Sequence, residues 1–306
     1  MTNAALAPRS ASALAPSADL SWLDRQAYPF PSHWHTTPEG RLHYVDEGPR
    51  DDPHPIVLVH GTPTWSFEWR EVIRGLRATR RVIAADHLGF GLSDKPEHAA
   101  YEPAAHARRL AGLLEHLGLA RYVLVVHDFG GPIGIGAALE HLDRVERLVF
   151  ANTWLWPVDD DRRAVSVSRF VRGAIGRFLY LWLSFSPRVI LPSALGDRSK
   201  LTRAVHRHYL APFPSRHTRR GPWTLGVELA GSSAFYASLW ARRAELATKP
   251  TTIVWGEKDP AFSRAYLDRL SAAFPRAHRV LLPTVGHFPA EEAPEAVIGA
   301  VLADPV

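Results

Sequence analysis

Apolar residues fall along this 306-residue chain in short runs of strand length, separated by stretches with helical spacing. Runs at 41–46, 56–60, 81–86, 122–127, 146–151, 251–255 and 279–282 predict strands. Apolar positions three and four apart at 103–117, 131–142, 263–273 and 294–302 predict helices. Strands that alternate with helices in this way imply an α/β fold, a mostly parallel sheet with helices on both faces. The interval 155–245 breaks the alternation. It is rich in Arg, Trp and Pro and shows helical rather than strand patterns. It predicts a helical cap inserted into a core made of 21–154 and 246–306. Residues 1–20 are rich in Ala, Ser and Pro, and Pro8, Arg9 and Pro16 interrupt any apolar run. They read as a disordered tail rather than a signal peptide, with a transit peptide as the alternative. No internal repeat is evident.

One residue narrows the chemistry. The run Tyr122–Val126 ends abruptly in His-Asp-Phe-Gly-Gly, and a helical pattern follows. That is the pattern of a strand-to-helix elbow, where a nucleophile stands at the end of a buried strand. The residue at its centre is Asp128. A carboxylate attacking an acyl group would make a reactive anhydride. A carboxylate attacking a saturated carbon makes an ordinary ester that water can cleave. Asp128 therefore points to cleavage of a carbon–halogen bond or an epoxide C–O bond. Its competing role is a helix N-cap, since Asp before a Gly-rich helix start often caps.

Ester cleavage needs a base and a group to orient it. His287 follows the apolar run Val280–Leu282, and Asp259 follows the run Thr251–Trp255. Nucleophile, acid and base thus succeed one another along the chain, each just past a strand. A chain with 16 histidines makes any single one unremarkable, so His287 stands on its position alone. An early loop, His60-Gly61-Thr62-Pro63, follows the strand at 56–59. It is either a tight turn or the partner of the elbow. In the second case the backbone N–H groups of Phe129 and Thr62 would hold an oxyanion.

Several stretches together carry a family resemblance: YPF (28–30), RLHYVDEG (41–48), HGTPTWSFEWR (60–70), DHLGFGLSDKP (86–96), VVHDFGGPIG (125–134), NTWLWP (152–157), VWGEKDPAF (254–262) and VGHFPAEEAP (285–294). The chain resembles the haloalkane dehalogenase family of α/β-hydrolases from about Tyr28 to about Leu302. The resemblance implies the α/β-hydrolase fold and a covalent alkyl ester on Asp128, released as alcohol and halide. It also implies no metal and no organic cofactor. It is closest to the subfamily whose acid follows the late strand, because FANTWLWP offers no carboxylate at Asn152 or Thr153.

The resemblance departs at the leaving-group site. Members usually carry Trp directly after the nucleophile and Asn in the early loop, and both side chains donate N–H groups to the halide. Here Phe129 and Thr62 stand in those places. Phe has no donor, and a Thr hydroxyl is a shorter one. Some members use a cap tryptophan instead, which makes Trp182 a candidate, with Trp154 and Trp156 flanking the cap and otherwise read as core. Two other functions stay open. One is epoxide hydrolysis, which would recruit two cap tyrosines from Tyr180, Tyr209 and Tyr236. The other is a non-catalytic ligand-binding descendant of the fold.

Composition changes this picture little. With 46% hydrophobic residues and 22% charged, the chain suits a globular enzyme acting on a small apolar substrate and water. No run of 18 apolar residues occurs, so no membrane insertion is expected. The apolar stretch 174–191, interrupted by Arg177 and Arg188, is expected to be a cap helix whose apolar face covers the site, with membrane-surface contact as the lesser reading. The absence of cysteine excludes disulfides and thiolate ligands. The net charge of +5, arginine-rich and without a nucleic-acid motif, reads as a solvated surface. The Gly-Phe-Gly at 89–91 lacks the rest of a phosphate loop and reads as a turn. The expected compartment is the cytoplasm.

Overall fold

The computed structural model describes residues 20–303; the expected tail, save Leu20, lies outside them. Eight strands form one sheet: β1 (His33–Thr37), β2 (Gly40–Glu47), β3 (Ile56–Val59), β4 (Val82–Ala85), β5 (Tyr122–Asp128), β6 (Val145–Thr153), β7 (Thr251–Gly256) and β8 (His278–Leu282). Their order across the sheet is β1-β2-β4-β3-β5-β6-β7-β8. The pairings β1–β2 and β2–β4 are antiparallel and the rest parallel.

The central strands are apolar without interruption because both faces are covered. Val57, Val59, Leu124, Val126 and Phe150 point into one core. Their immediate neighbours Ile56, Leu58, Val123, Val125 and Val149 point into the other. The helices Pro103–His116, Gly130–Ala138 and Arg264–Ala273 cover the first face, and Arg70–Leu76 and Pro294–Leu302 the second.

β3 lies between β4 and β5, so the chain leaves it first toward one side of the sheet and later toward the other. In open α/β sheets the crevice at such a reversal, outside the carboxyl ends of the strands, is where ligands bind. The His60–Thr62 loop and Asp128 both sit there, after β3 and at the end of β5.

Between β6 and β7 every regular element is helical, among them Arg162–Arg172, Ala174–Leu183, Arg203–Leu210, Arg220–Gly231 and Ser233–Ala241. Asp161 starts the first of these by accepting from the N–H groups of Arg163 and Ala164. The helix Ala174–Leu183 departs from expectation. Its buried residues are Gly176 and Tyr180, while Ile175, Phe178, Trp182 and Leu183 are exposed. Its apolar face turns outward and does not cover the site. Among the described residues no helix is long and apolar enough to cross a membrane.

Candidate active site

The elbow closes tightly because Gly130 and Gly131, just beyond Phe129, have no side chains to hold the helix away from β3 and β6. Asp128 has φ of 52°, a left-handed conformation that a non-glycine residue adopts only when its surroundings fix it. A Cβ on Gly130 would come within 2.2 Å of the Val59 carbonyl oxygen, and one on Gly131 within 1.9 Å of Thr153 Oγ1. Thr153 also ties the elbow to β6 by donating to the Asp128 carbonyl at 2.6 Å. The helix Gly130–Ala138 begins without any side-chain cap, so the N-cap role open in the sequence does not apply.

The two carboxylate oxygens of Asp128 have different surroundings. Oδ1 accepts from the Thr62 backbone N–H at 2.8 Å. Oδ2 lies 3.5 Å from His287 Nε2, beyond a good hydrogen bond. Among the described residues only the Thr62 N–H donates to this carboxylate; the Phe129 N–H, expected beside it, does not. Gly61 is what allows the approach, since a Cβ there would fall 2.2 Å from Oδ1.

His287 Nδ1–H donates to Asp259 Oδ2 at 2.8 Å, which leaves Nε2 facing Asp128. The three residues predicted from chain order therefore lie in one row. Burial works against a charged His287, but the carboxylates of Asp259 and Asp128 outweigh it and push the imidazole up to about 10. Burial likewise opposes an ionised Asp259, and His287 together with the Asn152 amide holds it below the usual carboxylate value. Asp259 Oδ1 accepts from the N–H groups of Ala261 at 2.6 Å and Phe262 at 3.1 Å.

Two residues near the row escaped the sequence reading. Asn152 donates to Asp259 Oδ2 at 2.8 Å while its own carbonyl accepts from Gly256 N–H at 2.8 Å. It fixes the acid from the neighbouring strand. His127, one residue before Asp128, sits 2.7 Å through Nε2 from the His287 carbonyl oxygen and packs ring to ring with His287 at 4.9 Å. A chain rich in histidine gave no signal for it.

The leaving-group candidates separate. Trp182 is 55% exposed, with the Arg216 guanidinium 5.1 Å over its ring, and supplies no buried donor. The outward turn of its helix puts it there, and the expectation that it holds a halide is corrected. Trp154 is fully buried instead. Its ring packs on Phe129 at 4.8 Å, Phe262 at 5.1 Å and Tyr236 at 5.6 Å, and Phe262 packs in turn on His287 at 5.3 Å. Trp154 Nε1 and Thr62 Oγ1 are both buried polar atoms without a hydrogen-bond partner. Such groups are costly and rare unless something absent from the structure pairs with them.

The α/β-hydrolase fold family matches residues 54–294. "Haloalkane dehalogenase 2" of Mycobacterium tuberculosis is 40% identical over 282 residues, covering 91% of this chain and 96% of the relative. The chain belongs to the haloalkane dehalogenase family of α/β-hydrolases. The haloalkane dehalogenase DbeA of Bradyrhizobium elkanii superposes with a TM-score of 0.79 at 26% identity, covering 89% of this chain and 95% of that one. A "cis-3-alkyl-4-alkyloxetan-2-one decarboxylase" of Xanthomonas campestris is 33% identical, covering 86% of this chain and 91% of the relative. The chain is thus also similar to relatives that bear a second activity in their name.

Proposed function

We propose that this protein hydrolyses carbon–halogen bonds of small apolar haloalkanes, in the cytoplasm, through an ester on Asp128. The observation that carries the reading is a carboxylate, not a hydroxyl, at the elbow, with Oδ1 held by Thr62 and Oδ2 facing His287. Oδ2 attacks the carbon that bears the halogen. The new C–O bond forms as the carbon–halogen bond breaks, and the electron pair leaves with the halide. His287 Nε2 then takes a proton from water, and the water oxygen attacks the Asp128 carboxyl carbon. The negative charge that develops on Oδ1 falls on the Thr62 N–H, a donor of a kind worth ~3 kcal/mol in related chemistry. Collapse expels the alcohol, protonated by His287, and the second water proton leaves the new carboxyl group for solvent, which restores the carboxylate. Asp259 holds the imidazole in the tautomer this requires. The unpartnered Trp154 Nε1 and Thr62 Oγ1 support a role as donors to the departing halide, which Phe129 cannot fill.

Two substrate classes compete, and the second has gained a rival. Epoxide opening would need a tyrosine pair, yet Tyr236 donates to the Glu228 carbonyl at 2.8 Å and Tyr209 to Glu291. Tyr180 is buried near Asp128 but its hydroxyl is engaged by Ser186. A four-membered lactone is favoured over the epoxide by the two relatives named for oxetan-2-one decarboxylation, at 33% and 31% identity. Its leaving group is a carboxylate that stays attached to the substrate, so the demand for a separate halide clasp is smaller.

The test is a panel of bromoalkanes, epoxides and a cis-disubstituted oxetan-2-one. Halide release by the wild type and none by Asp128→Ala supports the dehalogenase reading. With His287→Phe the first half-reaction should run and the second stop, leaving one alkyl adduct on Asp128 by intact mass. Turnover of the lactone alone, without halide release from any bromoalkane, would sink the reading in favour of decarboxylation.

A further inference from the structure

The helix Ala174–Leu183 has two unlike faces. Tyr180 is buried on the inner one, close enough to Asp128 to feel its charge. On the outer one Ile175, Phe178 and Trp182 follow at spacings of three and four, with Leu183 beside them. Ile175 is 70% exposed and none of the four is less than half exposed. The preceding helix adds exposed Val167 and Phe170. Soluble surfaces seldom show apolar side chains of this size in one continuous row.

The charge around this row is equally one-sided. Residues 161–220 carry twelve arginines and one lysine against two aspartates, a surplus of eleven positive charges. On a chain total of +5, the remainder therefore carries a surplus of six negative charges. Arg169, Arg172, Arg177, Arg188 and Arg216 are exposed, and among the described residues none has a carboxylate partner. Arg216 lies over the Trp182 ring at 5.1 Å, which keeps its head beside the apolar row, and Arg177 lies over the Trp223 ring at 5.4 Å.

We propose that the outer face of the cap, centred on Ile175, Phe178 and Trp182, docks the protein onto an anionic lipid bilayer surface. A helix with large apolar side chains on one face and arginines along its flanks lies in a bilayer interface, the apolar row among the acyl chains and the cations among the headgroups. A second copy of this chain fits the same surface poorly, because a twofold contact would set arginine against arginine. A nucleic acid would answer the charge but not the row of exposed Ile, Phe and Trp. The bilayer answers both. No span is involved, in keeping with the length of the helix. The proposal does not depend on the substrate assignment; if that assignment also holds, the docked site faces the phase in which apolar haloalkanes concentrate.

The experiment is cosedimentation of the full chain with phosphatidylcholine vesicles, with and without phosphatidylglycerol. Wild type should pellet with the anionic vesicles and stay in solution with the neutral ones, and salt should weaken the binding. The double variant Ile175→Glu/Phe178→Glu should bind at least about tenfold more weakly. Circular dichroism should show it folded, and its turnover of a water-soluble substrate should match wild type. Arg169→Glu/Arg172→Glu is a second, independent probe that leaves the apolar row intact and should also weaken binding to anionic vesicles. Equal sedimentation with neutral and anionic vesicles, or none with either, overturns the proposal. So does a light-scattering mass that falls from dimer to monomer in the Glu variants without vesicle binding by wild type, which would assign the face to a second copy. Retention on duplex DNA that Phe178→Glu leaves unchanged, with no vesicle binding, would overturn it as well.

Discussion

At the scale of single residues the leaving-group site decides how good an enzyme this is. Trp154 brings a buried, unpaired indole N–H between Phe129 and Phe262, the residues that adjoin Asp128 and His287. A hydrogen bond to a charged partner is worth ~1.5–3 kcal/mol, or roughly 10–10²-fold in rate. Trp154→Phe keeps the ring and removes the donor. Its expected effect is a slower halide burst in single turnover, by about that factor, with the hydrolysis of preformed ester unchanged. An unaltered burst would return Trp154 to the role of packing. Phe129→Trp should not rescue it. The larger ring would press on Trp154, at a cost of about 1–3 kcal/mol in stability, which a urea titration would detect. The charge state of His287 belongs at this scale too. Asp259 and Asp128 together push its imidazole up, and an ester on Asp128, as proposed, would remove one of those two negative charges and ease the loss of the proton.

At the scale of elements the site depends on how closely two loops approach the elbow. Gly61 shows this most directly. Adding one carbon, Gly61→Ala, would strike Asp128 Oδ1 and push the carboxylate off the Thr62 N–H. Loss of an oxyanion donor costs about 10²–10³-fold in kcat. That fall in steady-state turnover, with the fold intact by circular dichroism, is expected; a fully active alanine variant would remove the Thr62 N–H from the mechanism. The same scale explains what was legible in the sequence. Strands buried on both faces announce themselves by unbroken apolar runs, and the observed β3 to β8 follow the predicted spans closely. β1 was missed because His33–Thr37 is a polar edge strand that is nowhere fully buried. Asp128, Asp259 and His287 were legible because each follows a strand end. Asn152 was seen only as a missing carboxylate, since its use appears when β6 and the loop after β7 meet. The outward turn of Ala174–Leu183 was not legible, because spacing shows that a helix has an apolar face but not which way it points.

At the scale of the whole molecule the triad links folding to pH. His287, raised from 6.5 to about 10, contributes stability that is fully present below 6.5 and lost as the pH rises through 10. Asp259, held below 3.8, contributes stability present above that value and lost as the pH falls through its depressed one. Half-buried Lys95, held down at about 8 by the loss of solvent around its amine, acts in the opposite sense on the alkaline side. The quantity to measure is therefore the difference in urea midpoint between wild type and His287→Phe. It should shrink steadily between neutral pH and pH 10, and a constant difference would contradict the coupling. The division of charge has a further consequence. With its positive surplus gathered in residues 161–220 and its negative surplus in the rest, the chain's charge is divided as in an electric dipole. A negatively charged wall exerts a torque on such a body, drawing one pole inward and driving the other away. At physiological salt the field reaches only about 8 Å, so the rotation belongs to the last moments of approach. If the outer face docks as proposed, the protein turns that face toward the wall before contact and need not search through wrong orientations afterwards.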